Sequence, residues 1–178
     1  MKRKKLLIGL ICVGIVIGLI LHGFGLVKAQ DRKTVVGSLS KDVKERIKKE
    51  CGDPDPEKCS LYGMKLTCEL LRFTQKNDIK SGKANCVGYA QLCSEICNYA
   101  LKQNDLSNRT KPVVGYVTFY GLNLCDILKF IAPKEYKNFV KDHDFVELDL
   151  DDKVKYFDAS LYDYCIDCTT IRFSLQSS

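Results

Sequence analysis

Asn85-Cys86-Val87-Gly88-Tyr89-Ala90 is the stretch that decides the fold. Asn85 is a strong N-cap residue, and apolar side chains recur after it at Tyr89, Ala90, Cys93, Ile96, Cys97, Ala100 and Leu101, one face of a 3.6-residue repeat. The stretch therefore reads as the start of an amphipathic helix, entered from a loop containing Ser81 and Gly82. Cys86 falls in the first turn, where unpaired backbone N–H groups and the helix dipole favour a thiolate over a thiol. A cysteine nucleophile requires that environment; the plain alternative is one more half-cystine in a cysteine-rich chain.

Upstream, residues 30–39 are polar and read as a linker, and Ser40 caps a short charged helix over 41–50 that Gly52 stops. Asp53-Pro54-Asp55-Pro56 is a turn, and Asp55 with Pro56 opens a second helix with Cys59, Tyr62, Leu66, Leu70 and Phe73 along one face. Downstream, 103–111 is a polar loop with a glycosylation sequon at Asn108-Arg109-Thr110. After Pro112, the β-branched and aromatic run 113–120 predicts a strand. Short helices are expected over 124–131 and 133–140, then β segments at 144–150 and 154–157 joined by the turn Asp151-Asp152, and a last strand near 170–175. Helical periodicity first and β-rich sequence afterwards predict an α+β domain over 40–178, with the Cys86 helix packed on a mainly antiparallel sheet. At 178 residues and 46% hydrophobic content, one core is the expectation.

The N-terminus is a segment apart. Lys2 to Lys5 are basic, 6–21 are apolar or glycine, and Val27-Lys28-Ala29 fits signal-peptidase cleavage before Gln30. Residues 1–29 are thus expected to be a signal peptide, or a membrane anchor if uncleaved, and either places the body outside the cytoplasm. The net charge of +6 is largely this segment's: five basic residues lie in it, leaving 23 basic against 22 acidic beyond. A neutral body gives no nucleic-acid signal.

Of ten cysteines, Cys12 lies in the leader and nine in the body. An exported chain with this many predicts disulfides, and the odd total leaves at least one thiol unpaired. Cys93 and Cys97 are i,i+4 on one helix, about 5–6 Å apart at Cβ and too far for a relaxed bridge to each other. Cys165-Ile166-Asp167-Cys168 has the spacing of redox and zinc sites but no histidine near it, so structural half-cystines are expected and no metal or cofactor is read from the chain.

The second constellation is His143-Asp144-Phe145-Val146-Glu147-Leu148, with Asp158 fifteen residues after the histidine. A hairpin about Asp151-Asp152 brings His143 and Asp158 opposite or diagonal at its open end. His143 is the one histidine of the body, a cysteine nucleophile needs a base, and the base is best held by a third polar group.

Taken together, the helix before the cysteine, Asn85-Cys86-Val87-Gly88-Tyr89-Ala90, Val114-Gly115-Tyr116, His143-Asp144-Phe145-Val146-Glu147-Leu148 and Tyr156-Phe157-Asp158 resemble the transglutaminase-like branch of the papain-like cysteine enzymes, over about residues 60–165. The chain departs from that pattern at Ala84, Phe145 and Ala159, where the family often carries glycine, an aromatic that is commonly tryptophan, and proline, and at Val87, where the animal enzymes carry tryptophan. The resemblance implies Cys86 as nucleophile, His143 as base and Asp158 as orienter, acting on protein or peptide amides by thioester acyl transfer to water or an amine. The Cys86 backbone N–H would be one oxyanion donor; Gln75 and Asn77 lie upstream as possible partners for it. The alternative class is an extracytoplasmic binding module that keeps such a fold with Cys86 idle.

Overall fold

The computed structural model describes residues 23–33, 37, 39–126 and 142–164. The expected leader helix before residue 23, the body of the expected short helices over 127–131 and 133–140, the closing strand near 170–175, and Cys165 and Cys168 lie outside the described residues.

The described residues form a mixed α/β fold with helices packed against a curled antiparallel sheet. In chain order they are β1 (Phe24–Asp31), α1 (Lys41–Glu50), α2 (Pro56–Leu70), β2 (Arg72–Phe73), β3 (Lys83–Ala84), α3 (Cys86–Gln103), β4 (Arg109–Phe119), β5 (Leu122–Asn123), β6 (His143–Leu150), β7 (Lys153–Phe157) and α4 (Ala159–Asp163). The sheet runs β1-β4-β6-β7, with β5 folding back on β4; β2 and β3 make a separate two-residue parallel pair.

Local chemistry sets the helix starts. Ser40 Oγ accepts from Val43 N at 3.3 Å, Asp55 Oδ1 from Glu57 N at 2.8 Å with Pro56 opening the helix, and Asn85 Oδ1 from Val87 N at 3.0 Å. The apolar face expected of α3 is the one it buries: Cys93, Ile96, Cys97 and Ala100 are 0% exposed. It packs across β4 and β6 on one side and α2 on the other, meeting Leu66, Val113, Val146 and Leu148 in one core. Each large apolar side chain sealed there contributes about 1.5–3 kcal/mol. The crossing of α2 and α3 is close enough that a Cβ at Gly63 would collide with Cys97 Sγ.

The strand 113–120 begins earlier than expected, at Arg109, and takes Pro112 into its interior. Proline is tolerated because β1 ends there: the register closes at Asp31↔Val113, and the Pro112 carbonyl accepts from Arg32 N at 3.3 Å. N–H and C=O of a strand residue point to the same side, so the missing donor lies past the end of β1 and no ladder bond is lost.

β1 runs across the expected boundary between leader and linker at 29. Phe24–Asp31 pairs antiparallel with β4 from Phe24↔Phe119 to Asp31↔Val113. Leu26 is 1% exposed, and Lys28 Nζ lies 2.8 Å from Glu147 on β6. Gly115 permits the approach, since a Cβ there would collide with the Val27 carbonyl oxygen. A cut before Gln30 would therefore remove most of a sheet strand. Among the described residues no helix is long and apolar enough to cross a membrane.

None of the expected disulfides is formed among the cysteines described. Cys51, Cys59, Cys68, Cys86, Cys93, Cys97 and Cys125 are all free thiols. Cys59, Cys93 and Cys97 serve as small buried apolar groups between α2 and α3, and Cys93 and Cys97, facing the same helical seam, keep their sulfurs 4.0 Å apart.

Candidate active site

Two short-range constructions converge at the open end of the sheet. The first delivers Cys86. The segment before α3 is pinned by Asn77, whose Oδ1 accepts from Asn85 N at 2.8 Å, while Asn85 Nδ2 reaches the Gln75 carbonyl at 3.4 Å. Gly88 is needed beneath it, because a Cβ there would lie 2.8 Å from Asn77 Oδ1 and 2.6 Å from Ala84 Cβ. Asn77 is thus a scaffold for the loop, and its carbonyl oxygen faces the backbone. Cys86 opens α3, half-buried.

The second construction delivers His143 and Asp158. The hairpin closes at Leu150↔Lys153, as the Asp151-Asp152 turn predicts, and the ladder runs back to Val146↔Phe157. Asp158 leaves the strand one step further on, diagonal to His143 across the strand end. It does not end in solvent. It caps α4, with Oδ1 accepting from Ser160 N at 2.8 Å, Ser160 Oγ at 2.7 Å and Leu161 N at 3.1 Å. The helix it caps is tied down in turn: Tyr89 Oη donates to Asp163 at 2.7 Å, and the Cys68 thiol to the Ala159 carbonyl at 3.1 Å.

Asp158 Oδ2 is hydrogen-bonded to His143 Nε2. That leaves Nδ1 free of Asp158, and Cys86 lines the same cavity as the imidazole. Burial opposes charge on His143, but the Asp158 carboxylate and the bonds to Asp158 and Cys86 outweigh it and raise the imidazole from 6.5 to about 10. Burial likewise works against the Asp158 charge, yet the His143 charge and its hydrogen bond, with those from Ser160 and Leu161, hold the carboxyl below its ordinary 3.8. His143 is 16% exposed and Asp158 1%, so the pair is sealed from bulk water on most sides.

Cys86 and His143, drawn from α3 and β6, thus line one cavity, and Asp158 at the β7–α4 junction is bonded to the histidine. No family model, curated protein or solved structure matches this chain.

Two residues to which no role was assigned also reach the site. Asp144, 2% exposed, lies next to His143 in sequence, and its Oδ2 is 4.0 Å from Cys86 Sγ. Arg32, just past β1, clamps that carboxylate through Nε at 2.6 Å and Nη2 at 2.7 Å. Asp144 stands within the quoted histidine stretch, but Arg32 carries no sequence signal: its place depends on the β1–β4 pairing.

Cys86 and His143 line a cavity of about 190 Å3 walled chiefly by apolar side chains. Among the described residues no group of three or more His, Cys, Asp or Glu side chains is placed to hold a metal ion.

Proposed function

We propose that this protein is an exported or membrane-anchored cysteine enzyme of transglutaminase-like fold that acts on protein or peptide amides by thioester acyl transfer. The observation that carries the reading is the placement of His143, which bonds Asp158 through Nε2 and lines one cavity with Cys86. That arrangement matches a nucleophile, its base and an orienter. An imidazole raised to about 10 is protonated at neutral pH and can supply a proton to a leaving amine.

In this mechanism the thiolate attacks the carbonyl, and the Cys86 backbone N–H at the start of α3 meets the developing oxyanion. His143 then protonates the departing amine, leaving a thioester on Cys86. Water or a second amine, deprotonated by His143, takes the acyl group and restores the starting site. Asp158 keeps the ring oriented and its charge compensated, and the three donors on Oδ1 keep Asp158 in place. The basic, apolar segment expected as a leader over 1–29 supports export, with the anchored form in favour if the chain is not cut.

An activated amide or ester probe followed by intact mass and peptide mapping tests this. A single acyl adduct on Cys86 is expected, lost in Cys86→Ala, reduced by about 10²–10⁴-fold in His143→Ala and less in Asp158→Ala. Absence of any adduct on reduced, folded protein would leave a binding module with an idle Cys86.

A further inference from the structure

The cavity beside Cys86 carries information on what the thiol accepts. Its walls are Phe73, Val117, Leu124, Leu161 and Tyr164. Val117 is 9% exposed, while Tyr164, edge-on to Phe73 with ring centroids 5.6 Å apart, is 61% exposed and stands at the mouth. Cys125, 6% exposed, adds one more weakly polar surface. Among the described lining residues the ionisable nitrogen and oxygen groups are His143, which Asp158 already engages, and the phenol of the exposed Tyr164. The Ser160 hydroxyl, also at the wall, is taken by Asp158 Oδ1 at 2.7 Å. The Arg32–Asp144 pair does not line the cavity.

We infer that the acyl group transferred to Cys86 is apolar, and that Phe73, Val117, Leu124 and Leu161 form its binding pocket. This rests on the reading of Cys86 as nucleophile. A charged or amide-bearing acyl side chain placed here would lose its water without gaining a partner, which penalises it strongly. A cavity of about 190 Å3 compares with an apolar cavity of roughly 150 Å3 that takes benzene, so the pocket suits one aromatic ring or an alkyl chain of roughly six carbons. In a peptide the matching acyl donor is a residue of leucine or phenylalanine size.

The test is a series of p-nitrophenyl esters from acetyl to decanoyl, with a monosuccinyl ester as the charged member. For each, the Cys86 sulfur bonds to the acyl carbon as the ester C–O bond breaks, and nitrophenolate leaves with the electron pair. Water then releases the carboxylic acid, its proton passing through His143 to restore the starting site. Acylation of Cys86, located by peptide mass, is expected to rise about fourfold per methylene and to stop rising beyond roughly six carbons. The succinyl ester is expected to lag the butanoyl ester by at least tenfold. Val117→Phe, which fills the pocket, should move the optimum to shorter chains; Leu161→Ala, at the half-buried side, should move it to longer ones.

A second arm does not depend on chemistry: binding of acetamide, butanamide and hexanamide to Cys86→Ala protein, read by ligand NMR, should strengthen along the series. Thioester formation that is flat with chain length, or equal for succinyl and butanoyl, overturns this inference and leaves the thioester reading standing. No adduct with any ester but graded amide binding overturns the thioester reading and keeps the pocket. Failure of both arms removes both.

Discussion

Arg32 holds Asp144 through two hydrogen bonds of 2.6 and 2.7 Å, and the oxygen that Arg32 Nη2 grips is the one 4.0 Å from the Cys86 sulfur. A buried carboxylate this near would oppose the thiolate that the proposed mechanism requires, and the guanidinium offsets that repulsion. Arg32→Ala should slow Cys86 acylation and destabilise the fold by about 1–3 kcal/mol, tempered because Arg32 is 35% exposed. Arg32→Ala with Asp144→Asn should recover much of the acylation rate. Urea unfolding and acylation kinetics on the four forms of this cycle check it; a double variant as slow as Arg32→Ala would reject the electrostatic role.

Stability should fall with rising pH across a defined window. His143 is raised from 6.5 to about 10, so its contribution is complete below pH 6.5 and lost as pH climbs through about 10. Asp158, held below 3.8, acts in the opposite sense: its contribution is present above pH 3.8 and lost on acidification below it. Urea midpoints should decline between pH 6.5 and 10, and His143→Ala should remove most of that decline. An equal decline in the variant would place its cause elsewhere.

The role of β1 predicts where the chain tolerates truncation. Leu26→Ala should destabilise by about 2–5 kcal/mol, as for a buried leucine in a closed core. A chain starting at Gln30 should unfold at clearly lower urea than one starting at Gly23, having lost most of β1 and the Lys28–Glu147 ion pair. Equal midpoints would mean that β1 adds nothing to the fold.

Burial should make most thiols inert. It raises Cys51 above its ordinary 9.0, pushes Cys59 and Cys68 up to about 12, and lifts Cys97 well above the ordinary range. Iodoacetamide at neutral pH should label these four only after unfolding. Once mild urea opens the fold, with oxidised glutathione as acceptor of the two electrons, the first internal bridge should join Cys51 and Cys59, whose sulfurs are 3.7 Å apart in adjacent elements. Peptide mapping reads both; rapid native labelling of Cys59 or Cys97, or a first bridge between Cys93 and Cys97, would contradict the packing.

What was legible in the sequence was local. The α3 face from Tyr89 to Leu101 and the Asp151-Asp152 hairpin follow from periods of 3.6 and 2, and those two elements carry Cys86, His143 and the approach to Asp158. The capping of α4 by Asp158 was hidden because one carboxylate serves both a helix start and an imidazole. β1 was hidden for a different reason. Phe24 to Ala29 continues a long apolar run, and hydropathy cannot distinguish the tail of a leader from a strand that covers β4. Arg32 went unseen with it, since long-range pairing alone brings that side chain to Asp144.

The most direct test of the Cys86–His143–Asp158 couple is an NMR titration of the His143 imidazole in the folded protein, resolved from His22, the chain's other histidine, by substitution of the latter. The ring should titrate near 10, fall when Cys86→Ala removes one partner, and fall further in Asp158→Asn, because both groups raise it. Titration near the ordinary 6.5 in the wild-type chain, or a value unmoved by Cys86→Ala, would contradict the coupling on which the proposed chemistry depends.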